Sequence, residues 1–199
     1  MLARPSQKLD RAVTRALALA RLRRSWHSPA VDATLGAMRQ LGYAVKDVDA
    51  WVRTYLDTGI GPWWVNYEVQ PEEFAYRGAE SAARFACAVS WSGPLMLELI
   101  QPLDELPSPY RDFLESGREG LQHVAHFPAD YEAGEQALLG SGYEKVLDGR
   151  SGGFRFTYFE PPGAGSETIE LGRLSAETRE GLDARQAVCA AWDGNEPLR

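Results

Sequence analysis

Apolar and polar positions along the chain fall into two successive runs with the same order: alternation, then helical spacing, then further alternation. Between 37 and 46, small and bulky side chains alternate, which predicts a strand. Val48, Trp51, Val52 and Tyr55 then recur at the period of a helix over 47–58. Asp47 is placed to cap that helix, and Gly59 with the Gly61-Pro62 pair to end it. Stretches 63–69, 84–90 and 94–101 are aromatic, β-branched or alternating and predict three more strands, the last two joined through Trp91-Ser-Gly-Pro94. A connector punctuated by Pro107 and Pro109 holds a short helix at 110–115. The order then returns as strand 121–127, helix 130–140, strand 143–148, and hairpin strands 153–159 and 167–172 around Glu160-Pro-Pro-Gly-Ala-Gly165. A last helix spans 175–192 with Ser175 as its cap, and Ala, Leu and Arg content predicts another over 1–27.

The two runs are related in detail. Gln40-Leu-Gly-Tyr-Ala-Val-Lys-Asp-Val-Asp-Ala50 returns 83 positions later as His123-Val-Ala-His-Phe-Pro-Ala-Asp-Tyr-Glu-Ala133, with Asp47 on Asp130 and Gly59 on Gly142. Two βαβββ units make an α+β fold in which each sheet needs its partner to bury a face. The expected organisation is a basic N-terminal helical arm (1–36), a first module (37–102), a connector (103–119), a second module (120–173), and a C-terminal helix and tail (174–199).

Strand periodicity also selects candidate chemistry. In the first strand Gln40, Gly42 and Ala44 share one face, and in its counterpart His123, Ala125 and Phe127 do, so both polar side chains sit among small neighbours that leave room for a cavity. Each module closes on an apolar strand interrupted by one carboxylate, Leu-Met-Leu-Glu98-Leu-Ile and Thr-Ile-Glu170-Leu. A lone Glu in such a strand is costly to bury without a compensating cation. Facing modules would bring Gln40, Glu98, His123 and Glu170 together as a metal site. Two carboxylates, an amide oxygen and an imidazole suit one divalent ion among Mn²⁺, Mg²⁺, Co²⁺, Ni²⁺ and Zn²⁺, with about two positions left for substrate or water.

Other residues have plainer readings. His126 lies on the opposite face, His27 falls in the helix-breaking His27-Ser-Pro-Ala stretch, and Gln101 and Gln122 alternate away from the site. Arg77, Arg84, Arg111, Arg150 and Arg155 include candidate anion anchors, with nothing to select one. The aromatic group Trp63, Trp64, Tyr67, Phe154, Phe156 and Tyr158 lines a pocket or fills a core. The glycines of Asp148-Gly-Arg-Ser-Gly-Gly153 precede a strand rather than a helix, so they mark a hairpin and not a phosphate loop.

Charge narrows the partners. The net charge is −7, which gives no reason to expect nucleic acid or an anionic membrane. Residues 1–29 carry +6, leaving −13 on the rest, so the basic segment is read as an arm lying on an acidic body. Its apolar run is too short to span a bilayer, and no small-residue cleavage site follows it. Cys87 and Cys189 form no disulfide framework and no metal spacing, and are read as free, buried thiols of a cytoplasmic protein.

Over roughly 37–173 the chain resembles the vicinal oxygen chelate superfamily. Met38-Arg-Gln40-Leu-Gly-Tyr-Ala-Val-Lys-Asp47 is similar to its opening strand, with Gln where His is usual. Gly120-Leu-Gln-His123-Val-Ala resembles the Gly-Leu-His-His-Ile-Ala stretch of methylmalonyl-CoA epimerases. Glu98-Leu-Ile-Gln-Pro-Leu-Asp followed by Ser108-Pro-Tyr-Arg-Asp-Phe-Leu resembles the same branch, and Ile169-Glu170-Leu its closing strand. The resemblance implies an incompletely closed eight-stranded barrel-like cup around one divalent metal. Gln is a known alternative ligand in some glyoxalase I enzymes. The implied activity is an isomerase, epimerase or lyase that removes a proton next to a carbonyl through a metal-stabilised enolate, with Glu170 as base and Glu98 as second acid/base. The implied partner is a small molecule with adjacent oxygens, such as an acyl-CoA, and a homodimer is common for the fold. The alternatives are a metal-free, bleomycin-resistance-like binding module, and an extradiol dioxygenase, which a single His among the ligand positions disfavours.

Overall fold

Alternation and helical spacing become elements where the sequence predicts them, and one hairpin appears that it did not reveal. The computed structural model describes residues 34–163 and 168–199. The N-terminal helix expected over 1–27, His27 and part of the second hairpin turn lie outside them. The elements in chain order are β1 (Met38–Ala44), α1 (Val48–Asp57), β2 (Trp64–Val69), β3 (Glu73–Tyr76), β4 (Ala79–Glu80), β5 (Phe85–Ser92) and β6 (Leu95–Pro102). They continue as α2 (Pro109–Glu115), β7 (Gly120–His126), α3 (Tyr131–Gly140), β8 (Glu144–Ser151), β9 (Phe154–Glu160), β10 (Thr168–Leu174) and α4 (Ala176–Ala190).

All the strands join one curled mixed sheet in the order β2-β5-β6-β1-β7-β10-β9-β8-β3-β4. In each module the first strand runs parallel to the last, β1 with β6 and β7 with β10. The modules meet where β1 and β7 pair antiparallel, with Gly42 opposite His123. The four strands expected to carry polar ligands, β6, β1, β7 and β10, are therefore neighbours at the centre of the sheet.

The expected count of eight strands becomes ten among the described residues. The β3–β4 hairpin turns on Arg77 and Gly78, both left-handed at φ 49° and 80°. It leaves the first module after β2, yet β3 pairs with β8 at the far rim of the second. Residues 70–72 thus carry the chain from one rim of the cup to the other, where the Glu72 amide donates to the Arg150 carbonyl at 2.9 Å. Short strands with charged residues at a sheet rim carry little apolar alternation, so the pattern did not announce them.

The helices α1 and α3 pack on one face. Val48 and Val52 of α1 pack on Val45, Trp63, Leu97 and Leu99, and Tyr131 and Leu138 of α3 on Phe159 and Leu171. The opposite face carries Phe74, Phe85, Ile100, Tyr110, Phe156 and Tyr158. The last helix, α4, is fixed at Gln186 and through the tail beyond its C-terminus. Gln186 Nε2 donates to the Gly93 carbonyl at 2.8 Å. Beyond the helix, the Trp63 amide donates to Pro197 O at 2.8 Å and the Arg199 amide to Trp63 O at 2.9 Å. Among the described residues no helix is long and apolar enough to cross a membrane.

The repeat extends to the caps. Asp47 Oδ1 accepts from the Ala50 amide, and Asp130 Oδ1 from the Ala133 amide, each at 2.9 Å. Asp47→Ala and Asp130→Ala should each lower unfolding free energy by about 1 kcal/mol. Because the two caps share no partner, the double variant should lose the sum to within about 0.5 kcal/mol in a urea titration. Unchanged midpoints in both single variants would contradict the cap assignment.

Candidate metal centre

Period-2 alternation aims one polar side chain from each central strand at one spot. Gln40 on β1, His123 on β7 and Glu170 on β10 are almost wholly buried, while the Glu98 side chain on β6 keeps 17% exposure. Glu98, His123 and Glu170 each present one ligating atom, all within 4.8 Å of one another. Glu170 Oε2 lies 3.0 Å from His123 Nε2, and Glu98 Oε2 lies 3.6 Å from it. Gln40 Nε2 donates to Glu98 Oε2 at 2.6 Å and sits 3.4 Å from His123 Nε2. All four residues singled out in the sequence come together.

The gap beside the imidazole is made by Gly42. A Cβ built there would lie within the van der Waals envelope of the His123 ring. This glycine is required by close approach, because β1 and β7 pair directly at Gly42 and His123.

Gln122 corrects the simple alternation. The β1–β7 register shifts between Gly42 and Tyr43, so Tyr43 faces Leu121 and Gln122 is left as a bulge. A bulge re-aims its side chain. Gln122 Oε1 lies 2.8 Å from His123 Nδ1. With Nδ1–H donating there, Nε2 is the nitrogen that faces the cluster, an orientation outer partners commonly give ligating histidines. No pattern of apolar positions signals a bulge.

The electrostatics are those of a site short of positive charge. Burial works against a charged His123, but Glu170 and Glu98 outweigh it and hold the imidazole pKa up at about 9. Burial pushes the Glu170 carboxyl up, against the pull of His123. Even around an imidazolium, two ionised carboxylates leave one buried negative charge uncompensated. Two buried acceptor atoms, Gln40 Oε1 and Glu170 Oε1, have no hydrogen-bond partner among the described residues. These orphaned oxygens and the excess charge fit a divalent cation. So does the donor set of carboxylate, imidazole and amide oxygen.

Beside the cluster opens a cavity of about 330 Å³. Glu98 and Glu170 line it, with Cys87, Tyr110, Tyr158, Phe154, Phe156 and Trp64 among its walls. Tyr158 Oη lies 3.3 Å from His123 Nε2 and 2.9 Å from Tyr110 Oη. Burial holds both phenols well above their ordinary pKa, so they serve as neutral hydrogen-bonding groups. Cys87 and Cys189 are half-buried rather than buried. Burial and Glu98 hold the Cys87 thiol well up, and its Sγ donates to Glu98 Oε1 at 3.4 Å. That is a thiol, not a nucleophilic thiolate.

The remaining candidates resolve cleanly. His126 donates through Nδ1 to the Gly36 carbonyl, and Gln101 Oε1 accepts from the Val48 amide at the start of α1. Trp63 is core, Tyr67 is exposed and bonded to Asp49, and Trp64, Phe154, Phe156 and Tyr158 line the cavity. Arg77, Arg84, Arg111, Arg150 and Arg155 are each ion-paired to a carboxylate, and none lines the cavity.

A family model described as Glyoxalase/Bleomycin resistance protein/Dioxygenase superfamily matches residues 39–158. Among solved structures the chain is similar to a methylmalonyl-CoA epimerase from Mycobacterium tuberculosis, at 24% identity over 72% of this chain and 91% of that one, TM-score 0.53. It is similar to a methylmalonyl-CoA epimerase in complex with methylmalonyl-CoA and NH4+, at 26% identity over 70% and 94%, TM-score 0.51. A variant of the Streptomyces coelicolor methylmalonyl-CoA epimerase in complex with 2-nitronate-propionyl-CoA matches with 26% identity over 70% and 94%, TM-score 0.51. No curated protein matches.

The close approach at Gly42 makes a sharp test. Gly42→Ala should displace the His123 ring and lower stability by about 1–3 kcal/mol, as overpacking does. Gly181→Ala, in α4 with open space around it, should raise stability by about 0.5–1 kcal/mol. Equal responses of the two variants in thermal unfolding would refute the packing assigned to Gly42.

Proposed function

The chain belongs to the glyoxalase/bleomycin resistance protein/dioxygenase superfamily, and within it we propose a divalent-metal-dependent epimerase or isomerase that moves a proton on the carbon next to a carbonyl. The observation that carries this reading is the buried Glu98–His123–Glu170 cluster with its two orphaned oxygens. Gln40, Glu98, His123 and Glu170 would hold the ion, which when bound would supply Lewis acidity toward negative charge developing on a substrate oxygen.

The chain's own residues then have separable tasks. Glu170 takes the α-proton. Burial makes its carboxylate a stronger base than an exposed one, which suits proton removal from carbon. Glu98, at the cavity floor beside the same imidazole nitrogen, is the second acid/base that returns a proton. Gln122 holds the His123 ring in place. Phe154, Phe156 and Trp64 keep the reacting carbon away from bulk water. Similarity to methylmalonyl-CoA epimerases, one of them in complex with methylmalonyl-CoA, supports an acyl-CoA with a second oxygen-bearing group as substrate.

One observation favours a metal-free binding module instead. The Gln40 amide N–H reaches Glu98, and a protonated His123 pairs with both carboxylates, so the cluster partly satisfies itself.

A single variant separates the readings. Glu170→Gln should lose bound metal by elemental analysis and slow deuterium incorporation into methylmalonyl-CoA in heavy water by about 10²–10⁴-fold. A wild type that takes up no divalent ion and exchanges no deuterium would support the binding module and overturn the enzyme.

A further inference from the structure

We infer that Arg185 on α4 recognises an oxyanion of the substrate at the mouth of the cavity, so that the ligand class is an acyl compound carrying its own negative group. This rests on the reading of that cavity as the substrate site and names what its open end selects.

The floor and the mouth have opposite chemistry. Glu98 and Glu170 lie at the floor, aromatic and aliphatic side chains form the walls, and Arg185 is the one cation among the described lining residues. The guanidinium carbon stands 5.6 Å from the centroid of the Trp64 ring. A cation–π contact of this kind holds a guanidinium over the ring and leaves N–H groups free to fork onto a carboxylate or phosphate. Trp64 is itself braced edge-on against Trp91, with ring centroids 6.0 Å apart.

Among the described residues Arg185 has no carboxylate partner. The five arginines that the sequence offered as anion anchors are ion-paired elsewhere, whereas Arg185 makes no ion pair or hydrogen bond with any described residue. Its helix is held in place one residue further on, by Gln186 on the Gly93 carbonyl. A cation positioned by a fixed helix, braced on an indole and left without a counter-charge is prepared for an anion from solution.

Charge accounting gives the cation a purpose. A divalent ion with two carboxylates makes the floor neutral, and the chain as a whole carries −7. An anionic substrate gains no net attraction from either, so Arg185 supplies it locally. The cavity, at about 330 Å³, stands near the lower end of the range of ligand pockets, about 300–1,000 Å³. A small acyl acid fits inside it, while a nucleotide tail has to leave past Trp64 and Arg185. The oxyanion is therefore either the acid's own carboxylate or a phosphate of the departing tail. The helix that carries Arg185 follows the stretch matched by the family model, which ends at residue 158.

The test is calorimetric titration of malonate, and separately of coenzyme A, into wild type, Arg185→Met, Arg185→Lys and Arg179→Met, each with and without saturating Mn²⁺. Arg179 lies on the same helix but does not line the cavity. Arg185→Met should weaken one probe about tenfold or more, the loss of a charge-assisted hydrogen-bond pair, with partial rescue by Lys and no change in Arg179→Met. Weakened malonate identifies a carboxylate, and weakened coenzyme A a phosphate. If both probes bind Arg185→Met within twofold of wild type, or Arg179→Met weakens them equally, the inference is wrong. Failure of Mn²⁺ to bind, with the Arg185 effect retained in metal-free protein, would overturn the proposed reaction and leave this anchor standing.

Discussion

Two glutamates held inside a sheet around one histidine are the constraint on which the rest of this structure turns. A carboxylate removed from water needs a counter-charge or a proton, and here two carboxylates share a single imidazole. The ring is pulled toward its charged form, and even that leaves the cluster one positive charge short. Orphaned oxygens on Gln40 and Glu170 mark the same shortage in hydrogen-bonding terms. A cation that accepts hard and borderline donors relieves both.

The fold exists to bring these groups together. Each module contributes a first strand with a polar residue among small ones and a last strand with one carboxylate. Because first and last strands pair within each module, and the first strands pair between modules, the four sites fall on four adjacent strands. Gly42 supplies the clearance for the imidazole and the bulge at Gln122 supplies its orientation. The helices α1 and α3 take the opposite face, which leaves the concave side for the cavity, the tyrosine pair and α4.

What was legible in the sequence was whatever periodicity controls. Strand alternation picked out Gln40, Glu98, His123 and Glu170, and the repeat set Gln40 in register with His123. Helical spacing with Asp47 and Ser175 located the caps of two helices, and the repeat that sets Asp47 on Asp130 points to the residue that caps a third. Three features escaped for physical reasons. The β3–β4 hairpin is short, charged and paired to a distant rim, so no local pattern reports it. Gln122 was assigned to the wrong face because a bulge breaks the alternation on which the assignment relied. Arg185 sits on a largely exposed helix, and only the tertiary placement of that helix brings it beside Trp64 and the cavity.

The most direct test of the central claim is anomalous X-ray diffraction from crystals of the full chain grown with saturating Mn²⁺. The account predicts one strong manganese peak in the β6-β1-β7-β10 cleft, at about 2.0–2.6 Å from a carboxylate oxygen of both Glu98 and Glu170, with His123 Nε2 and Gln40 Oε1 turned toward it. An empty cleft under those conditions, with a protonated His123 bonded to both carboxylates, would contradict it.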